Sequence, residues 1–422
     1  SPDMGGALWS ADAREVFEEG LGLPPLKVVK EGRVNEELIA IIRHNVRVPD
    51  QVMGDLFAQI AAGDVCADRL KDFMQEQGLA DLTSLGAQIQ ALADGTMRRA
   101  IAELPDGSWE HTVYMDGFDQ PIKIQCRVTI RGDEIEVDYE GTSPQVDRGI
   151  NSVMNYTWAY TCYPVKCAID PHTAKNEGSY RAITVKAPEG SILNPRYPAP
   201  VNSRQIVGHM LTGAIFGCLA QVIPERVIAD SGSAPTLRTV YSGIGRHGER
   251  FGFILFANGG MGARPNQDGL PCTPFPTNST CASIEVMEGL TPLLVRTKRI
   301  RPDSGGAGKW RGGYGQEIIV ECRAERPISL SVISDRQQFP PQGMVGGEPG
   351  SSAVIKYLNR EDRVHPKSRT TLNPGDVLYC AYPGGGGYGP PSERDPELVR
   401  QDLENGVISE EAAYTLYQLG AG

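Results

Sequence analysis

Hydrophobic positions recur along this chain with different periods, and the changes between periods mark its organisation. Residues 33–103 repeat at helical spacing. Asn35 can cap a helix whose face is Leu38, Ile41 and Ile42. Asp50 to Ala62 predicts a second helix, with Val52, Leu56, Ile60 and Ala61 on one side. Cys66 to Gly78 and Asp81 to Gly95 follow, so the segment reads as a helical bundle or long hairpin. The period then drops to two. Thr112–Met115, Ile122–Ile130 and Glu134–Tyr139 alternate apolar and polar residues, and Arg131-Gly-Asp133 turns between two of them. That pattern predicts an antiparallel meander.

Residues 151–235 mix both types. Asn151 to Ile169 is apolar and aromatic, Arg181–Lys186 is a strand, and Val207–Val222 is a helix. Gly208, Gly213, Ala214 and Gly217 on that helix permit close packing. Residues 236–385 return to strand and loop, and Asp395 to Tyr417 carries two short helices, with Ser409 placed to cap the second. Ahead of all this, Ala11 to Glu19 reads as a short helix ended by Gly20, followed by an extended Leu23–Val29. The fold class expected is therefore α+β, a β-rich multidomain chain with an N-terminal helical segment and Gly-rich loops. Its expected divisions are 1–32 (the continuation of a longer N-terminal region), 33–103, 104–235, 236–391 and a helical tail at 392–422.

Composition narrows the function classes. With 422 residues and 40% hydrophobic content the chain can build a substantial core, and its net charge of −11 argues against nucleic acid or an anionic membrane as partner. Phe253–Ala257, among the longest apolar runs, is far too short to span a bilayer. Nine cysteines lie scattered with no CxxC pair, which reads as reduced thiols and a cytoplasmic protein. Cys162, Cys167 and His172 could form a zinc site, but their spacing fits no common zinc module.

Candidate chemistry concentrates in three glycine-rich, charge-bearing segments: Asn258–Gly269, Arg301–Gly313 and Pro383–Pro390. Ordered glycine costs conformational entropy, so their repetition predicts that the three converge on one pocket. Within them, Arg264 could clamp a phosphoryl or carboxylate group, or pair with Asp268 to hold a loop. Asp303 and Ser304 precede two glycines whose N–H groups could cradle an anion or simply form a turn. Arg204 stands at a helix start, where side chain and dipole both favour an anion. His209, on the same helix, is the general-base candidate among six histidines, none of which shows helical metal-site spacing. Asp3, before two glycines, could help bind a divalent cation or start a turn. No GxxxxGK[ST] loop is present.

As a set, the strings Asp3-Met-Gly-Gly6, Glu19-Gly-Leu-Gly-Leu-Pro-Pro-Leu-Lys27, Asn45-Val-Arg47, Gly54–Ala62, Gly141–Gln145, Ala187–Gly190, Gly259–Arg264, Arg301–Gly306 and Pro383–Pro391 resemble the hydantoinase B/oxoprolinase family over essentially the whole chain. The resemblance implies a subunit of a hetero-oligomeric ATP-dependent enzyme, and with it we expect the small residues of the Val207–Val222 helix to face a partner subunit. A partner of the hydantoinase A type would hold ATP and phosphorylate a carbonyl or enol oxygen, and the B-type subunit would process the activated small molecule. It also implies departures. Metal-binding members carry a His three positions before the residue matching Asp3, which falls ahead of Ser1, and a second His where Gly22 stands here. With that metal pattern incomplete, and with Tyr156–Tyr163 able to line a dry pocket, the expectation is ketone carboxylation of the acetone or acetophenone type. The alternatives are hydrolysis of a cyclic amide (N-methylhydantoin, 5-oxoproline or a lactam) and a non-catalytic scaffold role.

Overall fold

The structure is a computed structural model that describes residues 3–7, 10–235 and 237–420. A small hairpin, β1 (Val29–Lys30) and β2 (Arg33–Val34), leads into α1 (Glu36–Asn45). Asn35 caps α1 as expected, its side chain accepting the Leu38 N–H at 3.2 Å. Helix α2 (Pro49–Glu76) starts on proline, which gives up an N–H that a first turn leaves unpaired anyway. The two helices predicted between Asp50 and Gly78 are this one continuous element. Gly63, at the predicted break, has no atom within 4 Å of a Cβ position, so nothing there forces the chain to turn. Helix α3 (Thr83–Ala102) swings away from α2 and packs on the first sheet, burying Ala93, Met97 and Ile101. The three helices are thus not a bundle. Much of α2 stands free, with Phe57, Val65, Leu70 and Phe73 exposed.

The first sheet has the order β3-β4-β5-β6, from Gly107–Met115, Ile122–Arg131, Glu134–Asp138 and Ile183–Lys186. The first three strands form the predicted meander, and β6 joins β5 in parallel. On β4 the alternation sends Ile122, Ile124, Cys126, Val128 and Ile130 into the core. Against this face lies α6 (Met210–Leu219), with α4 (Met154–Ile169) and α5 (Gln205–Gly208) packed on it. The predicted Val207–Val222 helix is therefore a pair of helices that meet at His209. Its small residues serve packing within this chain, which corrects the expectation of a contact with a partner there. A Cβ on Gly208 would meet the Tyr156 ring at 2.3 Å, and one on Gly217 the His111 ring at 2.2 Å. An almost uninterrupted apolar run has no solvent face to offer, so α6 is interior.

Two further four-stranded antiparallel sheets make a sandwich. One runs β12-β14-β10-β9 (Val354–Tyr357, Val377–Ala381, Gln316–Cys322, Leu293–Ile300). The other runs β13-β11-β7-β8 (Arg369–Leu372, Ile328–Ile333, Arg238–Ile244, Arg250–Phe256), with α7 (Ile284–Leu290) beside β8 and β9. Tyr241, Leu255 and Leu330 of one sheet share a core with Ile318, Val320 and Leu378 of the other. Among the described residues no helix is long and apolar enough to cross a membrane.

Between these layers the glycine-rich segments meet, but they meet each other. The Gly313 N–H donates to Met261 O at 2.8 Å, Gly385 N–H to Gly313 O at 2.9 Å, and Gly306 N–H to Gly385 O at 2.8 Å. Ala263 N–H donates to Gly386 O and Gly386 N–H to Asp230 O, both at 2.9 Å. The result is a bundle of extended backbones joined by hydrogen bonds. A Cβ on Gly260 would lie 1.7 Å from Gly313 O, and one on Gly312 would lie 1.9 Å from Gly385 O. Here glycine is required by the approach of a neighbouring backbone, not by a left-handed φ. The predicted convergence is present, whereas the predicted pocket at its centre is filled by main chain. Helices α8 (Pro396–Glu404) and α9 (Glu410–Thr415) clasp the bundle from outside. The buried Arg394 holds Asp268 at 2.8 and 2.9 Å and Asp402 at 2.8 Å.

Candidate functional site

Two sequence candidates far apart in the chain, Asp3 and Arg204, line one cavity of about 390 Å³ together with Glu19 and Asn202. Apolar side chains, among them Leu21, Leu23, Ile42 and Val52, form the rest of its wall. Backbone pairing explains the meeting. Leu21 N–H donates to Met4 O at 3.0 Å and Ala7 N–H to Glu18 O at 3.1 Å, laying the first turn along the segment that carries Glu19. Gly5 and Gly6 turn there with φ of +77° and +50°. Glu19 then reaches across to the loop before α5, where its Oε1 accepts the N–H groups of Val201 and Asn202, each at 2.5 Å.

Asp3 is buried and occupied. Its Oδ1 accepts Gly5 N–H at 3.1 Å and the Arg47 guanidinium at 2.9 Å, and its Oδ2 accepts Val48 N–H at 3.1 Å and the Arg47 N–H. The carboxylate fastens the corner between α1 and α2. A cation would have to share it with a guanidinium, and Gly22 brings no ligand to the same cavity. Among the described residues no group of three His, Cys, Asp or Glu could hold a metal ion, Cys162, Cys167 and His172 included. The described residues do not fit a metal at Asp3.

Glu19 and Arg204 differ in what they leave available. Burial pushes the Glu19 carboxyl above its ordinary pKa, while the two N–H groups and Arg204 pull it back in part. Its Oε2 has no hydrogen-bond partner among the described residues. The Arg204 guanidinium lies over the Tyr156 ring at 5.2 Å and reaches Val201 O at 3.5 Å. Among the described residues it has no carboxylate within ion-pair distance. The cavity therefore holds a partly exposed cation with bonding capacity to spare, beside a carboxyl with one free oxygen.

His209 stands behind this cavity and does not line it. It is 1% exposed, and its Nε2 lies 3.3 Å from the Tyr156 hydroxyl. Burial, and then the charge of Arg238, lower its pKa to about 3. The ring is neutral near neutrality but a weak base, and its burial outside the cavity keeps it from a ligand bound there. Tyr156 links the pair, its hydroxyl toward His209 and its ring under Arg204.

The remaining candidates lie with the glycine bundle. Arg264 donates to Asp268 O at 3.2 Å. The Asp268 carboxylate is taken by Arg394 and by the Arg311 N–H at 2.9 Å. Asp303 has φ +54° and accepts the Ser409 N–H at 2.8 Å, joining the bundle to α9. These three residues share the clasp and not the cavity. The aromatic run Tyr156–Tyr163 also contributes nothing to the cavity wall. Sequence reasoning missed Glu19 and Asn202 as site residues. The signal for Glu19 was its place in Glu19-Gly-Leu-Gly, but a glutamate ending a short polar helix looks solvent-facing until its long-range acceptors are known.

With the geometry described, comparison with known proteins places the chain. A family model for hydantoinase B/oxoprolinase matches residues 1–391. The B-type subunit of a putative D-/L-hydantoinase from Pseudomonas sp. (strain NS671) is 30% identical over 433 residues, covering 98% of this chain and 72% of that protein. The crystal structure of the ATP-dependent caprolactamase from Pseudomonas jessenii superposes with a TM-score of 0.92 at 28% identity, covering 100% of this chain and 76% of that one. A nucleotide-free acetone carboxylase structure shares the fold, with a TM-score of 0.87 at 18% identity over 99% of this chain and 63% of that one. The chain belongs to the hydantoinase B/oxoprolinase family.

Proposed function

We propose that this protein is the B-type subunit of an ATP-dependent enzyme that opens cyclic amides. A partner of the hydantoinase A type would phosphorylate the amide oxygen, and this chain would bind and process the product. The observation that carries the reading is the cavity in which Arg204, free of carboxylate partners among the described residues, stands beside Glu19 and Asn202. A guanidinium can hold a phosphoryl group through two parallel hydrogen bonds. The Asn202 amide can hydrogen-bond a lactam or hydantoin edge, and the wall of Leu21, Leu23 and Val52 suits ring methylenes. The resemblance to a hydantoinase component at 30% identity and to a caprolactamase at 28% supports amide chemistry. The argument for carboxylation rested on an incomplete metal pattern and on an aromatic lining, and this cavity lacks the lining.

The test is reconstitution. The complex with its partner is given ATP and, in separate reactions, a hydantoin, 5-oxoproline, caprolactam, or acetone or acetophenone with bicarbonate. ADP and organic product are both measured. ATP-dependent ring opening is expected, with no ATP turnover by this chain alone, in line with the missing phosphate-binding loop. Carboxylation of the ketones without ring opening would replace this reading with the carboxylase one, and product formation unaffected by substitutions in this cavity would leave a scaffold role.

A further inference from the structure

Phosphorylating an amide oxygen does not by itself open a ring. Water adds to the activated carbon and gives a tetrahedral centre bearing a hydroxyl, a phosphate and the ring nitrogen. Two bonds can then break. If the C–O bond to phosphate breaks, the amide is restored and ATP has been hydrolysed for nothing. If the C–N bond breaks, the ring opens to an acyl phosphate and an amine, and a second water splits the acyl phosphate into carboxylate and phosphate. Phosphate leaves readily as an anion, whereas an amine leaves only when its nitrogen takes a proton. Some group in the cavity must supply that proton.

Resting on the cyclic-amide reading above, we infer that Glu19 carries the proton that commits the intermediate to ring opening. As water adds, the C=N electron pair moves onto nitrogen, which takes a proton, and the water oxygen loses one to solvent. In the second step the C–N pair leaves with nitrogen, which receives the proton of Glu19 Oε2. The new hydroxyl reforms a carbonyl and returns its proton to Glu19. Glu19 gives one proton and regains one, so it ends protonated, as it began.

Three observations support the assignment. The carboxyl is anchored by one oxygen only, since Val201 and Asn202 N–H both donate to Oε1 and Oε2 has no partner among the described residues. Glu19 shares the cavity with Arg204, the proposed phosphoryl holder, so proton donor and leaving phosphate can sit on different sides of one carbon. Burial favours the protonated carboxyl, as a donor requires. The other carboxylate lining the cavity, Asp3, is held by Arg47 and backbone N–H groups and cannot do the same work.

The test reads coupling in the reconstituted complex, as ADP released per ring opened. Glu19→Gln keeps an oxygen to accept the Val201 and Asn202 N–H groups but cannot pass a proton. ADP release should persist while ring opening falls about a hundredfold or more, so that the ratio rises by the same factor. Glu19→Asp keeps a titratable carboxyl and should couple better than the Gln variant. Equal loss of both activities, with the ratio unchanged in either variant, would assign Glu19 a structural role and overturn the inference. If the Gln variant fails to fold, Glu19→Asp, whose shorter side chain draws the carboxyl back from the nitrogen, should release more ADP per ring opened than wild type with a shifted pH profile, and a wild-type ratio with a wild-type profile would overturn the inference. Absence of ring opening by the wild-type complex is a separate result that overturns the cyclic-amide reading itself.

Discussion

Arg204 and His209 are five positions apart and both touch Tyr156, yet their surroundings give them opposite characters. Arg204 borders a cavity and keeps its charge in reach of a ligand. Replacing it with Lys preserves the charge and loses the planar fork. Ring opening should fall more than about tenfold, corresponding to about 1.4 kcal/mol of transition-state stabilisation, with the melting temperature unchanged. Wild-type kinetics in Arg204→Lys would exclude a fork-bound anion. His209 is sealed in, and its pKa is depressed from 6.5 to about 3. The unfolded chain therefore takes up a proton that the folded one refuses. Stability from this residue is full above the unfolded value and is lost as pH falls toward the folded one, at up to about 1.4 kcal/mol per pH unit. His209→Phe should flatten the decline in melting temperature on acidification below about pH 6.5. An unchanged acid slope would show that the imidazole is not the group resisting protonation.

At the scale of elements, period and cap were legible where they are local. The alternation from Ile122 to Ile130 corresponds to β4, and Asn35 and Ser409 cap the helices they were expected to cap. What an element packs against is not local. The small residues of α5 and α6 signalled close approach, but nothing in their spacing distinguished a partner chain from Tyr156 and His111 of the same chain. Three glycine runs likewise announced an unusual backbone without revealing that each fills the space beside another. Gly260→Ala places a methyl 1.7 Å from a carbonyl oxygen that is itself hydrogen-bonded, so the bundle must separate. Denaturant titration should show a loss of at least about 3 kcal/mol. Gly289→Ala, in α7 with no neighbour within 4 Å, should be neutral or stabilising by about 0.5–1 kcal/mol. Equal effects of the two would refute the packing argument.

Across the whole molecule, the cavity and the clasp are each assembled by pairings of long sequence separation. Glu19 meets Val201 and Asn202, Asp3 meets Arg47, and Arg394 meets Asp268. Sequence reading found Asp3 and Arg204 individually and could not place them together, because no local pattern records a contact between the first turn and a loop near residue 200. It grouped Arg264, Asp268 and Asp303 by their glycine neighbours, and they do share a neighbourhood, that of the clasp around the bundle.

The bundle also reverses the usual relation between regularity and protection. Residues 258–263 and 383–387 belong to no helix or strand, yet the amides of Gly260, Gly385 and Gly386 are buried and bonded to neighbouring backbone. Exchange with deuterium requires those bonds to open, and opening one displaces segments drawn from the whole second half of the chain. These amides should exchange about as slowly as those of β10, near the limit set by global unfolding. The solvent-exposed turns of α2, the longest regular element, should exchange well before them. Mass-resolved hydrogen exchange would read the order directly, and early labelling of 258–263 would mean that the bundle opens on its own.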